Sequence, residues 1–118
     1  MKVVRTNDIK AQESNKKIFS DKGGKVNIQN IIGENVDDLR AAIVSFSPGA
    51  GTTFHTHTFD QILYVTEGTG IVATEQKEVT VMPGAFIFIP AGERHWHGAT
   101  KDTTFSHLFI NPPGETSF

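Results

Sequence analysis

The chain contains no cysteine among its 118 residues, which excludes disulfides, thiolate metal ligands and thiol nucleophiles. It also lacks a surplus of basic charge, since 11 Lys and Arg against 13 Asp and Glu give a formal net charge of -2. The phosphate-neutralising surface that nucleic-acid binding requires is therefore missing. No apolar run approaches the ~20 residues of a membrane span, and residues 1–10 lack the apolar stretch of a signal peptide. We expect a cytoplasmic protein with no nucleic-acid or membrane partner.

Short apolar or alternating segments, separated by turns rich in glycine and proline, fill most of the chain. No stretch has the period of an amphipathic helix, and segments of this length are typical of β-strands. About eight strands in one small domain predict an all-β barrel or double-sheet jelly roll. The predicted strands are 26–32, 39–46, 53–57, 61–67, 71–75, 78–82, 85–89, a segment that begins at His95, and 103–110.

The domain is predicted to span residues 26–110. Residues 1–25 carry little periodicity and are interpreted as an irregular or edge segment, and 111–118 as a short C-terminal tail. Residues 85–89 are apolar throughout, which favours a strand buried on both faces.

Two histidine-containing segments organise the second half of the chain. Alternate side chains of a strand share a face, so His55, His57 and Gln61 point the same way if the strand continues in register. His95 would reach them from a second strand, and these donors suit a divalent ion with coordination positions left open. The sequence therefore predicts a metal site in the segments Gly49-x5-His55-x-His57-x3-Gln61-x6-Gly68 and Gly84-x5-Pro90-x-Gly92-x2-His95.

Gln61 has two interpretations from the residues alone. It either fills the barrel interior as a polar side chain or supplies an oxygen ligand through its amide carbonyl. As a ligand beside three neutral imidazoles, it would leave a divalent ion its full positive charge, part of which a carboxylate would cancel. The predicted site is therefore a strong Lewis acid that favours anions.

Two further histidines are candidates for acid–base chemistry. His97 shares the face of His95 in an extended segment, beside the open coordination positions, where a general acid or base belongs. The alternative is that His97 is a fifth ligand or supports one. On its own strand, His107 shares a side with Phe105 and Phe109, so it is either a packed core histidine or an active-site base with a lowered pKa.

At these residues the chain resembles the cupin superfamily, whose motifs are G(X)5HXH(X)3-4E(X)6G and G(X)5PXG(X)2H(X)3N. The resemblance spans about residues 26–110 and implies a cupin double-stranded β-helix. Two positions depart from it: Gln61 replaces the usual Glu, and Ala99 replaces a frequent Asn that is not a ligand. The matched positions are Gly49, His55, His57, Gly68, Gly84, Pro90, Gly92 and His95.

Within that family the chain looks most like small, manganese-binding single-domain cupins, which include bacterial hydroxynitrile lyases and carboxymuconolactone-decarboxylase-like proteins. The resemblance implies that Mn²⁺, or else Fe²⁺, Ni²⁺ or Zn²⁺, binds at His55, His57, Gln61 and His95. It implies that His97 and His107 lie beside a small-molecule substrate, and that the protein is a homodimer.

We expect a metal-dependent lyase or isomerase. An iron-dependent oxygenase and a non-enzymatic binding or sensing module remain as alternatives, and a lyase should work without oxygen and with redox-silent ions.

Overall fold

The computed structural model describes residues 1–33 and 36–118, and its regular structure there is almost entirely β. It confirms the predicted all-β class. Two short 3-10 helices, Thr6–Asp8 and Lys17–Phe19, lie near the N-terminus. None of the helices in the described residues is long and apolar enough to cross a membrane. The strands are β1 (Gln12–Glu13), β2 (Val26–Ile32), β3 (Arg40–Phe46), β4 (Thr56–His57), β5 (Gln61–Gly68), β6 (Gly70–Thr74), β7 (Glu78–Val81), β8 (Phe86–Ile89), β9 (His95–Ala99), β10 (Phe105–Asn111) and β11 (Thr116–Ser117).

The strands form a large sheet, a small sheet and a two-stranded ribbon. The large sheet has the order β1-β2-β3-β10-β5-β8, the small sheet β7-β6-β9, and the ribbon pairs β11 with β4. All the recorded strand pairs are antiparallel. β5, which carries Gln61, lies in the large sheet, and β9, which carries His95, lies in the small sheet. The two predicted ligands therefore come from different sheets.

The hydrophobic core lies between the two larger sheets. Phe46, Val65 and Phe105 come from the large sheet, whereas Val81 and Ala99 come from the small one, and all five are buried. Side chains alternate along β5, so Gln61, Leu63 and Val65 point inward and are buried, whereas Tyr64 is exposed. Burying a large apolar side chain of this kind contributes about 1.5–3 kcal/mol, which fixes the register of the strands around the site.

The prediction that residues 85–89 form a strand buried on both faces is wrong. β8 is the edge strand of the large sheet, and it leaves Phe86 63% and Phe88 56% exposed. Ile89 is buried at the end of the strand. Two-sided burial needs a neighbouring layer on each face, and in the described chain no layer covers the outer face of β8.

The ends of the chain take part in the fold more than the sequence predicts. β1 pairs with β2 at one edge of the large sheet. At the other end, β11 pairs with β4, so regular structure continues past the predicted barrel boundary at residue 110. The segment 53–57, predicted as one strand, forms a strand only at Thr56–His57.

Candidate metal centre

The backbone itself brings two of the predicted ligands together. His55 and His95 exchange main-chain hydrogen bonds, with N–H to O distances of 2.9 Å and 3.0 Å. This isolated bridge links the segment before β4 to the start of β9, and it places the two imidazole centroids 4.2 Å apart. Both side chains are 1% exposed. The predicted convergence of these two segments is therefore present in the fold.

All the other predicted site residues are buried around this pair. His57 has its ring centroid 4.7 Å from that of His55 and 5.3 Å from that of His95. Candidate ligand atoms of His55, His95 and His97 all lie within 4.8 Å of one another, so geometry alone also groups His97 with the metal ligands. Distance alone does not show whether His57 or His97 is the third histidine ligand. The hydrogen bonds of each ring show which of its nitrogens is free to bind a metal.

In both His55 and His95, Nδ1 faces a main-chain carbonyl two residues earlier in the chain. The distances are 2.7 Å from His55 Nδ1 to Thr53 O and 2.9 Å from His95 Nδ1 to Glu93 O. A carbonyl only accepts, so each Nδ1 carries the proton and donates it. Nε2 of each ring then keeps a free lone pair, as metal-ligating histidines require. In His95 this Nε2 is buried and has no partner among the described residues.

His57 and Gln61 have their free atoms arranged in a similar way. His57 Nδ1 lies 2.8 Å from the Thr116 hydroxyl, and its buried Nε2 is without a partner in the described chain. Gln61 Nε2 donates to Asn111 Oδ1 at 3.1 Å, which leaves the buried Gln61 Oε1 without a partner there. The site thus offers two free imidazole nitrogens and one free amide oxygen, in addition to His55.

His97 and His107 form a second pair, set among aromatic rings. Their ring centroids are 4.8 Å apart, and the Phe46 ring lies 6.0 Å from His97 and 5.7 Å from His107. In the residues that the structure describes, no hydrogen-bond partner is present for His97 Nδ1 or for either ring nitrogen of His107. The backbone N–H of His97 donates to Thr52 Oγ1 at 3.1 Å, which fixes the position of its strand.

Burial keeps these histidines uncharged at neutral pH. Desolvation lowers the pKa of His55 to about 3, that of His57 to about 4 and that of His107 to about 3. The same desolvation lowers the pKa of His95 and holds the pKa of His97 well below its ordinary value, with further lowering of the latter by the nearby His107. Neutral imidazoles can ligate metals and accept protons, so the buried cluster is in the form that both roles require.

A cavity of about 930 Å³ opens beside the cluster. Its apolar wall includes Ile28, Val44 and Phe109, and the histidines and Gln61 form its polar part. The charged residues that line it are all cationic, and no described lining residue is a carboxylate. These cations, which sequence reasoning missed, are Lys16, Lys17 and Arg40.

The residues present fit a divalent metal ion. The free donor atoms are imidazole nitrogens and one amide oxygen, which suit first-row divalent ions, and no thiolate is available. Buried polar atoms without partners are costly in a folded protein, and an ion bound by them would remove that cost. The free donor atoms at this site are thus of the kinds that bind such ions.

Comparison with known proteins identifies the family and the fold of the chain. A family model described as "Cupin domain" matches residues 42–111. The (R)-mandelonitrile lyase of Granulicella tundricola is 44% identical over 73 residues, which are 61% of this chain and 56% of that protein. The match therefore spans little more than half the length of this curated relative.

Solved structures share the fold. A cupin-like protein from Thermotoga maritima is 31% identical, with a TM-score of 0.76 over 85% of this chain and 84% of the other. The polyketide cyclase RemF from Streptomyces resistomycificus is 25% identical, with a TM-score of 0.83 over 100% of this chain and 86% of the other. The predicted jelly-roll architecture is confirmed.

Proposed function

The chain belongs to the cupin family, and we propose that it is a metal-dependent enzyme that cleaves or isomerises a small molecule, with hydroxynitrile-lyase-like chemistry foremost. The observation that carries this proposal is the pairing of free metal donors with two uncharged imidazoles beside one cavity. The (R)-mandelonitrile lyase that matches 61% of the chain supports the lyase reaction. A site that only bound a ligand would not need the second imidazole pair.

The proposed ligands are His55, His57, Gln61 and His95, and the proposed ion is Mn²⁺. Three of them leave a buried nitrogen or oxygen free, and His55 has its Nδ1 bonded to a carbonyl. When bound, a divalent ion supplies Lewis-acid polarisation of a substrate oxygen or nitrogen. All four ligands are neutral, so they leave the ion's charge available to a polar or anionic group of the substrate.

His97 and His107 are the proposed proton carriers. Neither ring is charged near neutral pH, so one nitrogen of each can accept a proton. In cyanohydrin cleavage, the base takes the hydroxyl proton while the oxygen forms a carbonyl and the carbon–carbon electron pair leaves with cyanide. The imidazolium then returns its proton to cyanide, which gives hydrogen cyanide and restores the neutral histidine.

The cavity limits the substrates that such a site would accept. Apolar walls at Ile28, Val44 and Phe109 favour an apolar or aromatic body, and a cavity of about 930 Å³ accommodates a small molecule. The cationic lining at Lys16 and Lys17 favours a substrate or product with negative charge. A released cyanide ion has that property.

The test combines metal analysis with turnover. Protein purified without a nickel column should contain Mn²⁺ and should cleave (R)-mandelonitrile under anaerobic conditions. His57→Ala should lose the metal and the activity together, because it removes a ligand. His97→Asn should keep the metal and lose turnover, because it removes only a proton carrier.

Three results would contradict this proposal. Activity that survives removal of all metal would exclude the metal site as the reaction centre. A strict requirement for oxygen and iron would favour the oxygenase alternative. Ligand binding without turnover of any cyanohydrin or lactone would favour the binding module.

We also propose that the protein is a homodimer that uses the outer face of the large sheet. Phe86 on β8 lies opposite Tyr64 on β5, and Phe88 lies opposite Ile62, which in turn faces Ile110 on β10. Residues directly opposite in neighbouring strands share a face, so these side chains form one apolar band. β8 is also a sheet edge with unpaired main-chain groups, which a second copy would cover.

A further inference from the structure

We propose that Asn111 is a positioning residue that decides which end of the Gln61 amide faces the metal site. The inference rests on the proposed ligand role of Gln61. An amide has an oxygen and a nitrogen of similar size, but only the oxygen can ligate a cation. A glutamine in a ligand position therefore needs a neighbour that fixes its orientation, whereas a carboxylate presents an oxygen either way.

The hydrogen bonds identify Asn111 as that neighbour. Gln61 Nε2 donates to Asn111 Oδ1 at 3.1 Å, and Asn111 Nδ2 donates to Pro112 O at 2.8 Å. The last acceptor sets the direction of the whole relay, because a main-chain carbonyl cannot donate. Asn111 must turn its nitrogen toward Pro112, so it offers its oxygen to Gln61. Gln61 must then offer its nitrogen to Asn111, which directs its own oxygen away toward the histidines.

Burial makes this direction costly to reverse. Gln61 and Asn111 are each 7% exposed, so water cannot readily replace the bond between them. A reversed Gln61 amide would place its oxygen against the oxygen of Asn111 and turn its nitrogen toward the metal site. That arrangement leaves buried polar atoms without partners and repels a cation.

The same part of the chain supports a second proposed ligand. Thr116 lies on β11, which pairs with β4, and its hydroxyl is 2.8 Å from His57 Nδ1. Glu115 N also donates to Thr58 Oγ1 at 3.0 Å, which holds β11 against the loop after β4. Residues 111–117 therefore orient two of the four proposed ligands, although they contribute no ligand themselves.

Mn²⁺ affinity in two backgrounds tests the positioning role of Asn111. Asn111→Ala should lower the Mn²⁺ affinity of the wild-type protein about 10–100-fold, the range for loss of such supporting bonds. In Gln61→Glu the same substitution should change the affinity less than about threefold, since a carboxylate needs no orientation. Asn111→Asp keeps an acceptor opposite Gln61 Nε2 and should retain Mn²⁺ binding. Electron paramagnetic resonance of free Mn²⁺ gives the affinity, and circular dichroism confirms that each variant is folded.

Equal losses in both backgrounds, or no loss in either, would overturn the proposal. A second readout needs no metal: in the metal-free protein, the Gln61 side-chain NH₂ protons should show a nuclear Overhauser contact to Asn111. In Asn111→Ala the Gln61 NH₂ proton that donates to Asn111 should shift upfield, because its hydrogen bond is lost, and an unchanged shift would count against the relay. Failure of the wild type to bind Mn²⁺ would instead refute the proposed function, while the NH₂ signals would still report the orientation of the amide.

Discussion

Replacing His107 by leucine should make the metal-free protein less sensitive to acid. His107 is 1% exposed, and burial lowers its pKa to about 3 from an ordinary value of 6.5. Between these pH values the unfolded chain binds a proton at His107 that the folded chain does not bind. The free energy of unfolding therefore rises with pH in this window. The contribution of His107 to stability is complete above pH 6.5 and decreases as the pH falls toward 3.

The magnitude follows from the pKa difference. Each pH unit in the window changes the free energy of unfolding by about 1.4 kcal/mol per histidine. A pH of 5 is about 1.5 units below the pKa of His107 in the unfolded chain. Protonation of His107 alone should therefore lower the free energy of unfolding by about 2 kcal/mol between neutral pH and pH 5. The other buried histidines act in the same direction. The metal-free protein should therefore lose stability as the pH falls through this window.

Urea unfolding at pH 7 and pH 5, in the presence of EDTA, measures this change. The loss of unfolding free energy between the two pH values should be about 2 kcal/mol smaller in His107→Leu than in the wild type. Comparing the loss with pH removes any packing cost of leucine, because that cost is the same at both pH values. Phe109→Leu changes the same strand without removing a titratable group, so it should keep the wild-type pH dependence. Equal losses in all three proteins would refute the claim that the folded state excludes the proton from His107.

Two further predictions concern the scaffold. Gly68 has φ +73°, and a methyl group there would overlap the Thr104 carbonyl oxygen, whereas Gly84 has φ +94° and nothing within 4 Å of the same position. Gly84→Ala should therefore lower the free energy of unfolding by about 1–2 kcal/mol, the cost of backbone strain alone. Gly68→Ala should lower it by about 1–3 kcal/mol more, because the methyl group also overlaps the carbonyl oxygen. Thermal or urea unfolding measures both, and equal costs would contradict the overlap. For the proposed homodimer, Phe86→Ser with Phe88→Ser should reduce the mass measured by light scattering from twice 12.9 kDa to 12.9 kDa. Val79→Ser, on the other sheet, should leave the dimer intact, and a wild-type protein of 12.9 kDa would refute the interface.

Much of the fold can be predicted from the sequence because alternation and turn residues are local signals. Val26–Ile32 appears with its predicted bounds, and most other strands differ by one or two residues. The main error concerns β8, whose apolar residues also suit an exposed interface. Periodicity cannot distinguish a strand buried by its own chain from one that a second copy would cover. Which layer covers a strand depends on sheet order, and sheet order is set by contacts far apart in sequence.

The residues that support the proposed ligands are also hard to predict, because they are far from those ligands in sequence. Asn111 lies 50 residues from Gln61, and Thr116 lies 59 residues from His57, so no local pattern connects them. One signal was present: alternation along β10 places Asn111 on the face of His107. An inward-facing asparagine at the end of a strand could have suggested a polar partner in the cavity. Thr116 offered no such signal.

Spacing alone also cannot separate the proposed ligands from the proposed proton carriers. His55-x-His57 and His95-x-His97 are equivalent in sequence, and the first member of each pair bonds the carbonyl two residues earlier. For the second members, that position two residues earlier is occupied by the first histidine, whose carbonyl is engaged in the bridge between the segments. His57 and His97 therefore differ only through residues elsewhere in the chain.

For His57 that residue is Thr116, whose hydroxyl oxygen can accept the Nδ1 proton, and in that tautomer Nε2 is left for a metal. His97 Nδ1 has no such partner in the described chain, and the nearby ring is that of His107. A histidine with one nitrogen fixed is suited to hold an ion in one orientation. An imidazole without a fixed partner can accept and release a proton at either nitrogen. The proposed difference in role between His57 and His97 thus depends on β11, the strand that pairs with β4.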